Sequence, residues 1–392
     1  MRTLGKWLGR AVLVLGLVAV VGGIWKRDAV TRLFAVNSLF DAERIVHNFS
    51  HMNSLFHTVP VPRGTGPVSP LPAGPALAMP EDFAAWAERR AVTSLVVLSE
   101  GALVHETYLQ GTGPEDLRAS WSVAKSYLSA LFGIVVAEGA IDSLDDPVTK
   151  YAPALTGGAY DGASIRNVLN MASGVSFDED YFDFWSDINK MGRVLALGGS
   201  MDRFAAKMDE TFIAPGAQWQ YVSIDTHVLS MVLRGATGRP IAELLSEKVI
   251  APMGLEAEPY YVTDGHGVEF VLGGLNLRTR DYARMGQMFL QNGAWNGQQI
   301  VPEGWVEAST APSAPTEPGA AMRYGYQWWI PGDAEPGEFL ARGVYGQYVY
   351  VNRPAGVVIA ANGADRQFRE DGAFPDVLDM FRRIVALAQQ ER

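Results

Sequence analysis

Hydrophobic and polar positions change their spacing several times along this chain, and the changes mark the predicted elements. Residues 93–98 and 103–109 alternate apolar and polar positions on either side of a short Gly-containing turn, which predicts a β-hairpin. The next run, from Ser120 to Gly139, has apolar residues at helical spacing. It predicts a buried helix with Ser120 as its N-cap and Gly139 at its end.

Later patterns predict a helical middle and a second group of strands near the C-terminus. The helices expected in the loop-rich middle are Thr226–Gly235, Pro240–Ile250 and Asp281–Gln291. Strand patterns return at 324–330, 338–345, 348–352 and 356–361, before an amphipathic helix at 375–389. Strands at both ends with helices between them predict an α/β fold. One antiparallel sheet is flanked by helices and carries an inserted helical domain.

This organisation divides the chain into three predicted regions. Residues 1–27 form an N-terminal membrane anchor or signal segment, and residues 28–80 carry a helical pattern followed by a Pro-rich linker. Residues 81–392 form the catalytic domain. Its sheet is expected at about 81–139 and 320–392 and its helical part at about 140–320. The active site is expected in the groove between these two parts.

The first segment has the charge pattern of a membrane helix. Arg2, Lys6 and Arg10 precede the uncharged stretch 11–25, and two basic residues follow it. We interpret the segment as an uncleaved single-pass helix, because it lacks a small-x-small cleavage site. The charge distribution then puts the N-terminus in the cytoplasm and the catalytic domain on the periplasmic side of the inner membrane. A cleaved signal peptide is the alternative.

Composition excludes several function classes. Cysteine is absent, which rules out disulfides and a cysteine nucleophile. The formal net charge of −11, without any basic tract, argues against a nucleic-acid partner. The histidines form no ligand cluster, and no phosphate loop, dinucleotide fingerprint or Gly-x-Ser-x-Gly elbow is present. We therefore expect neither a metal nor a cofactor.

The candidate chemistry lies at the start of the predicted 120–139 helix. In Ser122-Val123-Ala124-Lys125, a spacing of three puts the hydroxyl and the amine on one helix face. Burial in an apolar helix lowers a lysine pKa, so a neutral amine could act as the base for a serine nucleophile. The motif alone is common, and a first-turn serine beside a snorkelling lysine is the plainer interpretation.

Further motifs follow in a fixed order, and together they carry a resemblance. They are Leu144-Asp-Asp-Pro-Val148, Ile165–Gly174, Pro215-Gly216 before Tyr221-Val222-Ser223, Gly273–Asn276, Arg280–Gly286 and Gly343–Gln347. With Ser122 and Lys125, this set resembles the serine β-lactamase and penicillin-binding-protein superfamily, on its class C and esterase side. The greatest likeness is to 6-aminohexanoate-dimer hydrolases and related carboxylesterases, over roughly residues 85–390.

The resemblance implies roles for several residues. Tyr221 would relay a proton to the leaving group, and Ser223 replaces the asparagine of the family's Tyr-x-Asn motif. The backbone N–H groups of Ser122 and Val344 would form the oxyanion hole, with Gly343 allowing close approach of the backbone.

The resemblance also gives candidates for substrate recognition. The candidate substrate-binding residues are Tyr181, in an acidic loop, together with Ser223, Asn276 and Gly343. The acidic loop itself is either a solvated surface or a site for a cationic amine. Ala341 stands where β-lactamases carry the lysine that holds the substrate carboxylate. Strand alternation is expected to turn Arg342 away from that position.

These observations predict a membrane-anchored serine hydrolase that cleaves small-molecule ester or linear amide bonds through an acyl-enzyme on Ser122. Two alternatives stay open. One is a D-Ala peptidase or β-lactamase acting on cell-wall-type substrates. The other is a catalytically silent member that serves as a scaffold in a membrane complex.

The predicted anchor can be tested directly. Full-length protein should stay with the membrane fraction after a carbonate wash, because an apolar helix of this kind is not removed by high pH. Variants with Arg inserted into residues 11–25 should be released and serve as the control. Recovery of a soluble form that begins well after Trp25 would contradict the uncleaved anchor and favour a signal peptide.

Overall fold

A computed structural model describes residues 27–391 together with the isolated positions Trp7 and Leu13. The predicted membrane helix at 1–27 therefore lies, except for its last residue and these two positions, outside the described residues. Within the described part, no helix is both long enough and apolar enough to cross a bilayer.

The described strands form three antiparallel sheets, of seven, four and two strands. The strands are β1 (Thr58–Pro60), β2 (Val92–Ser99), β3 (Ala102–Tyr108), β4 (Arg118–Ala119), β5 (Tyr260–Val262), β6 (Leu275–Leu277), β7 (Ala294–Trp295), β8 (Gln298–Gln299), β9 (Met322–Tyr324), β10 (Trp329–Pro331), β11 (Glu338–Gly343), β12 (Gln347–Asn352) and β13 (Val357–Gly363).

The helices of the described residues are mostly short, and five of the α-helices have more than ten residues. The α-helices are α1 (Arg27–Asn37), α2 (Ile45–Ser50), α3 (Met52–Leu55), α4 (Phe83–Arg89), α5 (Ala124–Ala137), α6 (Ile165–Leu169), α7 (Asp187–Ala196), α8 (Met201–Ala205), α9 (Ser223–Thr237), α10 (Ile241–Leu245), α11 (Ala251–Met253), α12 (Thr279–Leu290), α13 (Glu303–Thr310) and α14 (Ala373–Gln390).

The large sheet has the strand order β3-β2-β13-β12-β11-β10-β9. Because β13 pairs with β2, the hairpin before the first catalytic motif and the C-terminal strands belong to one sheet. On one face, Trp86 of α4 and Phe381 of α14 pack on Leu95, Val97 and their neighbours. This arrangement confirms the predicted α/β fold, with an antiparallel sheet completed by both ends of the catalytic region.

Helix α12 covers the opposite face of the sheet at very close range. A Cβ atom on Gly286 would lie 2.5 Å from Val358 Cγ1 and 2.8 Å from Val349 Cγ1. Only glycine allows this approach, which explains one residue of the Arg280–Gly286 motif. Helix α5 packs in the same hydrophobic core, and its residues are buried from Ala124 to Val135.

The segment before the catalytic region packs onto it. Strand β1 pairs with β5, which joins residues 58–60 to the four-stranded sheet β1-β5-β6-β4. The Pro-rich stretch is extended, as its composition predicts, but it is not a free linker. The backbone N–H of Gly74 donates to Leu103, and the carbonyl of Ser69 accepts from the buried Arg284. Proline fixes an extended backbone, and here the domain surface holds it.

Candidate active site

Ser122 lies in a 3₁₀ turn, Trp121–Val123, that precedes α5. The α-helix begins at Ala124, and the Ser120 side chain makes no capping bond, so the predicted N-cap is wrong. The physical reason is backbone strain: Trp121 has φ = 43°, a left-handed conformation that costs a non-glycine residue about 1–3 kcal/mol. The rings of Phe40 and Phe49, 5.6 and 5.4 Å from the indole, pack around Trp121.

Lys125 is buried one turn into the same run. Its Nζ donates to the backbone carbonyl of Leu272 at 2.9 Å and to Ser223 Oγ at 3.3 Å. Burial lowers the pKa of Lys125 to about 7, and the negative charges of Glu179 and Asp225 only partly oppose this effect. A substantial fraction of the amine is therefore neutral near pH 7, as a proton acceptor must be.

Tyr221 lies beside both Ser122 and Lys125. Its hydroxyl is in hydrogen-bonding contact with Ser122, and its ring centroid lies 5.5 Å from Lys125 Nζ. Burial raises the pKa of the phenol well above its ordinary value, and the contacts with Ser122 and Arg342 only partly oppose this. Tyr221 therefore stays a phenol that can donate a proton. Its ring stacks on Trp329 at 5.2 Å, which fixes its orientation.

The loop between β11 and β12 brings Gly343 and Val344 beside the serine. A Cβ atom on Gly343 would lie 2.8 Å from the Ser120 carbonyl oxygen and 3.1 Å from the Ser122 nitrogen, so a side chain there would disturb the turn. Gln347 fastens this loop, because its amide donates to the carbonyls of Val344 and Tyr345 at 3.3 and 3.1 Å. Val344 therefore lies beside Ser122, and the oxyanion hole expected from their two N–H groups stays a prediction.

Glu179 is a site residue that sequence reasoning missed. It belongs to the acidic loop around Tyr181, but its carboxylate is buried and accepts from the backbone N–H of Ser223. Burial raises the pKa of Glu179, while the charge of Lys125 and hydrogen bonds from Ser223 and Tyr181 act in the opposite direction. No feature of the sequence separates Glu179 from its solvated neighbours.

The rest of the acidic loop has a structural role. The side chains of Asp178, Asp180 and Asp183 each accept from a backbone N–H two residues further along, and Asp187 pairs with Lys190. None of these aspartates lines a pocket at Ser122. The loop therefore uses these carboxylates to hold its own conformation, and the solvated interpretation describes them better than amine recognition does.

Asp225 adds a second buried carboxyl behind Lys125. One of its oxygens accepts from the Tyr160 hydroxyl at 2.7 Å, and the other has no partner among the described residues. Burial raises the pKa of Asp225 to about 7. A carboxyl of this kind can stay protonated near neutral pH, which limits how strongly it favours the charged form of Lys125.

Arg342 points away from Ala341, as the sequence predicts, and it still reaches the site. Strand alternation holds, but Ala341 packs in the main core, whereas Arg342 lines a pocket together with Ser122 and Tyr221. The guanidinium carbon lies 4.2 Å from the Phe374 ring centroid and 5.7 Å from that of Trp329. These rings support the side chain at the end of β11, where it can turn towards the site. The guanidinium of Arg342 therefore brings a positive charge to the pocket that Ser122 lines.

Asn276 is buried on β6 and does not line either pocket at Ser122. Its amide donates to the Gly274 carbonyl at 2.8 Å. His227 bonds Asp202 at 2.8 Å and is likewise buried. Among the residues that the structure describes, no group of three histidine or acidic side chains is placed to hold a metal ion.

Two pockets meet at Ser122, and Tyr181 and Val344 line both of them. We call the first the polar pocket; besides the shared residues it is lined by Glu179, Tyr221, Trp329, Arg342, Gly343, Phe368 and Arg369. We call the second the apolar cavity, whose walls come from α1, α3, α7 and the loop after β5. Ser122 thus lies between the polar pocket, which has charged side chains, and the apolar cavity.

Residues 83–378 match the model of the family described as Beta-lactamase. The chain is 31% identical over 278 residues to the 6-aminohexanoate-dimer hydrolase of Paenarthrobacter ureafaciens, and the match covers 68% of this chain and 70% of that protein.

Solved structures give the same fold. A Bacillus anthracis protein with the provisional name 6-aminohexanoate-dimer hydrolase superposes with a TM-score of 0.81 at 25% identity, over 90% of this chain and 96% of that one. A D-stereospecific amidohydrolase from Streptomyces sp. superposes with a TM-score of 0.55 at 20% identity, over 74% and 99% of the two chains. At that identity, the second likeness concerns the fold alone.

The geometry predicts how the reactivity of Ser122 depends on pH. Labelling of Ser122 by a fluorophosphonate should speed up as pH rises and level off above a midpoint near 7, because only neutral Lys125 accepts the proton and burial lowers the pKa of Lys125 to about 7. Lys125→Ala should slow labelling about 10²–10⁴-fold and remove this midpoint. The exposed Lys207 provides the control variant Lys207→Ala, which should keep the wild-type profile. A flat wild-type profile between pH 5 and 9 would contradict the assignment of Lys125.

Proposed function

The chain belongs to the beta-lactamase family and is a serine hydrolase, and from that premise we propose that it cleaves ester or linear amide bonds through an acyl-enzyme on Ser122. The observation that carries this proposal is the contact of the Ser122 hydroxyl with Tyr221 beside a buried amine whose pKa burial lowers to about 7. A hydroxyl with this access to a neutral base is an activated nucleophile.

In the first step, Ser122 Oγ attacks the carbonyl carbon of the substrate, and its proton passes to the amine of Lys125. Lys125 is the better net acceptor, because the raised pKa of Tyr221 keeps the phenol protonated whereas Lys125 is partly neutral. The negative charge that develops on the carbonyl oxygen is stabilised by the N–H groups of Ser122 and Val344.

In the second step, the bond between the carbonyl carbon and the leaving oxygen or nitrogen breaks. Tyr221 donates its proton to the leaving group and recovers one from the ammonium of Lys125. Water then attacks the acyl carbon of the ester on Ser122 and gives a proton to Lys125. The bond between the acyl carbon and Ser122 Oγ breaks, the ammonium of Lys125 returns a proton to Oγ, and the free acid leaves. Glu179 acts as a positioning residue here, since its carboxylate holds the backbone of Ser223, whose hydroxyl accepts from Lys125.

A second candidate function is supported by Arg342. A guanidinium in the polar pocket can pair with a substrate carboxylate, which a D-Ala peptidase or β-lactamase would require. A substrate carboxylate would compete for the Arg342 guanidinium with the Phe374 ring that already contacts it. The scaffold alternative has no comparable support, because Ser122, Lys125 and Tyr221 are intact. Membrane attachment through residues 1–27 remains a separate proposal that rests on the sequence.

The substrate class can be decided on one preparation. We expect p-nitrophenyl butyrate and a linear amide of 6-aminohexanoate with an uncharged acyl half to be hydrolysed with a higher kcat/KM than a chromogenic cephalosporin, and Ser122→Ala to remove all three activities. A cephalosporin that is the best of the three, and that Arg342→Ala abolishes selectively, would favour the second candidate. Ester and amide turnover equal in wild type and Ser122→Ala would overturn the proposed function.

A further inference from the structure

The apolar cavity reaches from Ser122 into the interior between the N-terminal helices and α7. The empty space in it is about 760 Å³, a volume that includes open solvent at its mouth. Its hydrophobic walls are formed by Val36, Leu39, Phe40, Met52, Ile188 and Leu195, and further by Phe56, Val262, Phe270 and Leu272. The cavity thus ends beside the same hydroxyl at which the polar pocket ends.

The interior offers no counter-charge to a charged group. No residue that lines the cavity is charged. The amide of Asn189 is already committed, because it donates to the carbonyls of Tyr181 and Asp183 at 3.0 and 2.8 Å. An ammonium or carboxylate placed there would lose its hydration without a partner, whereas a hydrocarbon chain would be transferred out of water.

Buried polar bonds hold the N-terminal part of the wall in place. The buried guanidinium of Arg118 donates to the Val46 carbonyl at 3.1 Å and to Ser50 Oγ, which fastens α2. Arg32 Nε donates to the carbonyl of Ala196 at 3.0 Å, which ties α1 to the end of α7. The cavity is therefore preformed. These N-terminal helices lie outside residues 83–378, the span that matches the family.

The position of Tyr221 decides which half of the substrate enters the cavity. Tyr221 lines the polar pocket and not the apolar cavity. If Tyr221 gives its proton to the leaving group, the leaving group must lie on the polar side of Ser122. The acyl half of the substrate then points the other way, past Tyr181 and into the apolar cavity.

We propose that the apolar cavity binds the acyl chain of the substrate, and that this chain is an unbranched hydrocarbon of about four to eight carbons without a charged end. The proposal rests on the proposed function and names its acyl specificity. Transfer of each methylene from water into such a cavity favours the reaction by about fourfold. The value of kcat/KM should therefore rise with chain length until the cavity is filled.

Two substrate comparisons test the cavity. Along p-nitrophenyl acetate, butyrate, hexanoate and octanoate, kcat/KM corrected for the uncatalysed rate should rise at least about tenfold from acetate to hexanoate. With the same p-nitroanilide leaving group, a hexanoyl chain should be preferred over a 6-aminohexanoyl chain, which differs in its terminal ammonium. Equal rates along the ester series, or a preference for the aminohexanoyl chain, would overturn the proposal.

Gly192 on α7 allows the cavity to be filled from its wall. A Cβ atom there meets only Val36 Cγ1, at 3.8 Å, so Gly192→Ala fits and Gly192→Leu fills space in the cavity. The ratio of hexanoate to acetate kcat/KM should fall at least tenfold in Gly192→Leu and by less in Gly192→Ala. Gly304→Leu, at an exposed helical glycine with no atom near its Cβ position, is the matched control and should keep the wild-type ratio. An unchanged ratio in both Gly192 variants would contradict the proposed chain site.

A binding measurement separates this proposal from the proposed function. Ser122→Ala protein, which cannot form an acyl-enzyme, should bind octanoate more tightly than acetate in calorimetric titration, and addition of Gly192→Leu should remove the difference. If no ester or amide is turned over but this difference is found, the proposed function fails and the cavity assignment stands. If Ser122-dependent turnover is found but octanoate and acetate bind alike, the cavity assignment fails alone.

Discussion

The site depends on the exclusion of water from the amine of Lys125, which belongs to the same motif as the Ser122 hydroxyl. Transfer of a lysine ammonium from water into a protein interior is costly, so the neutral form of Lys125 is favoured and its pKa falls to about 7. The backbone carbonyl of Leu272 and the hydroxyl of Ser223 satisfy the amine without giving it a full counter-charge. The nearby carboxyls of Glu179 and Asp225 have raised pKa values, again through burial. Each of the three groups is thereby held closer to its neutral form.

The spacing of residues in the sequence is sufficient to predict the helix that follows Ser122 and the large sheet. Hydrophobic periodicity predicted β2, β3, β12, β13 and α14 to within about two residues, because each of these elements buries one regular face. The start of α5 was missed, since the strained conformation of Trp121 comes from tertiary packing of rings that are distant in sequence. Periodicity carries no information about such contacts.

The residues that sequence reasoning missed are those whose neighbours decide their role. Glu179 belongs to an acidic loop, and only the fold shows that its carboxylate turns inwards while the adjacent aspartates hold the loop. Arg342 obeys strand alternation, but Phe374 and Trp329 support it at the strand end, so it reaches the pocket from the face opposite Ala341. The sequence predicts the N-terminal helices as a region separate from the catalytic domain. In the structure, hydrogen bonds from Arg118 and Arg32 join these helices to the catalytic part, and the helices form one wall of the apolar cavity.

The central claim is that Ser122 becomes acylated during turnover. The most direct measurement is rapid acid quenching of the protein during hydrolysis of p-nitrophenyl hexanoate, followed by intact-mass and peptide mass spectrometry. The account predicts a mass increase of one hexanoyl group on the peptide that contains Ser122. No adduct in Ser122→Ala is expected under the same conditions. Turnover without any adduct on Ser122, or an adduct on another residue at equal rate in Ser122→Ala, would contradict the account.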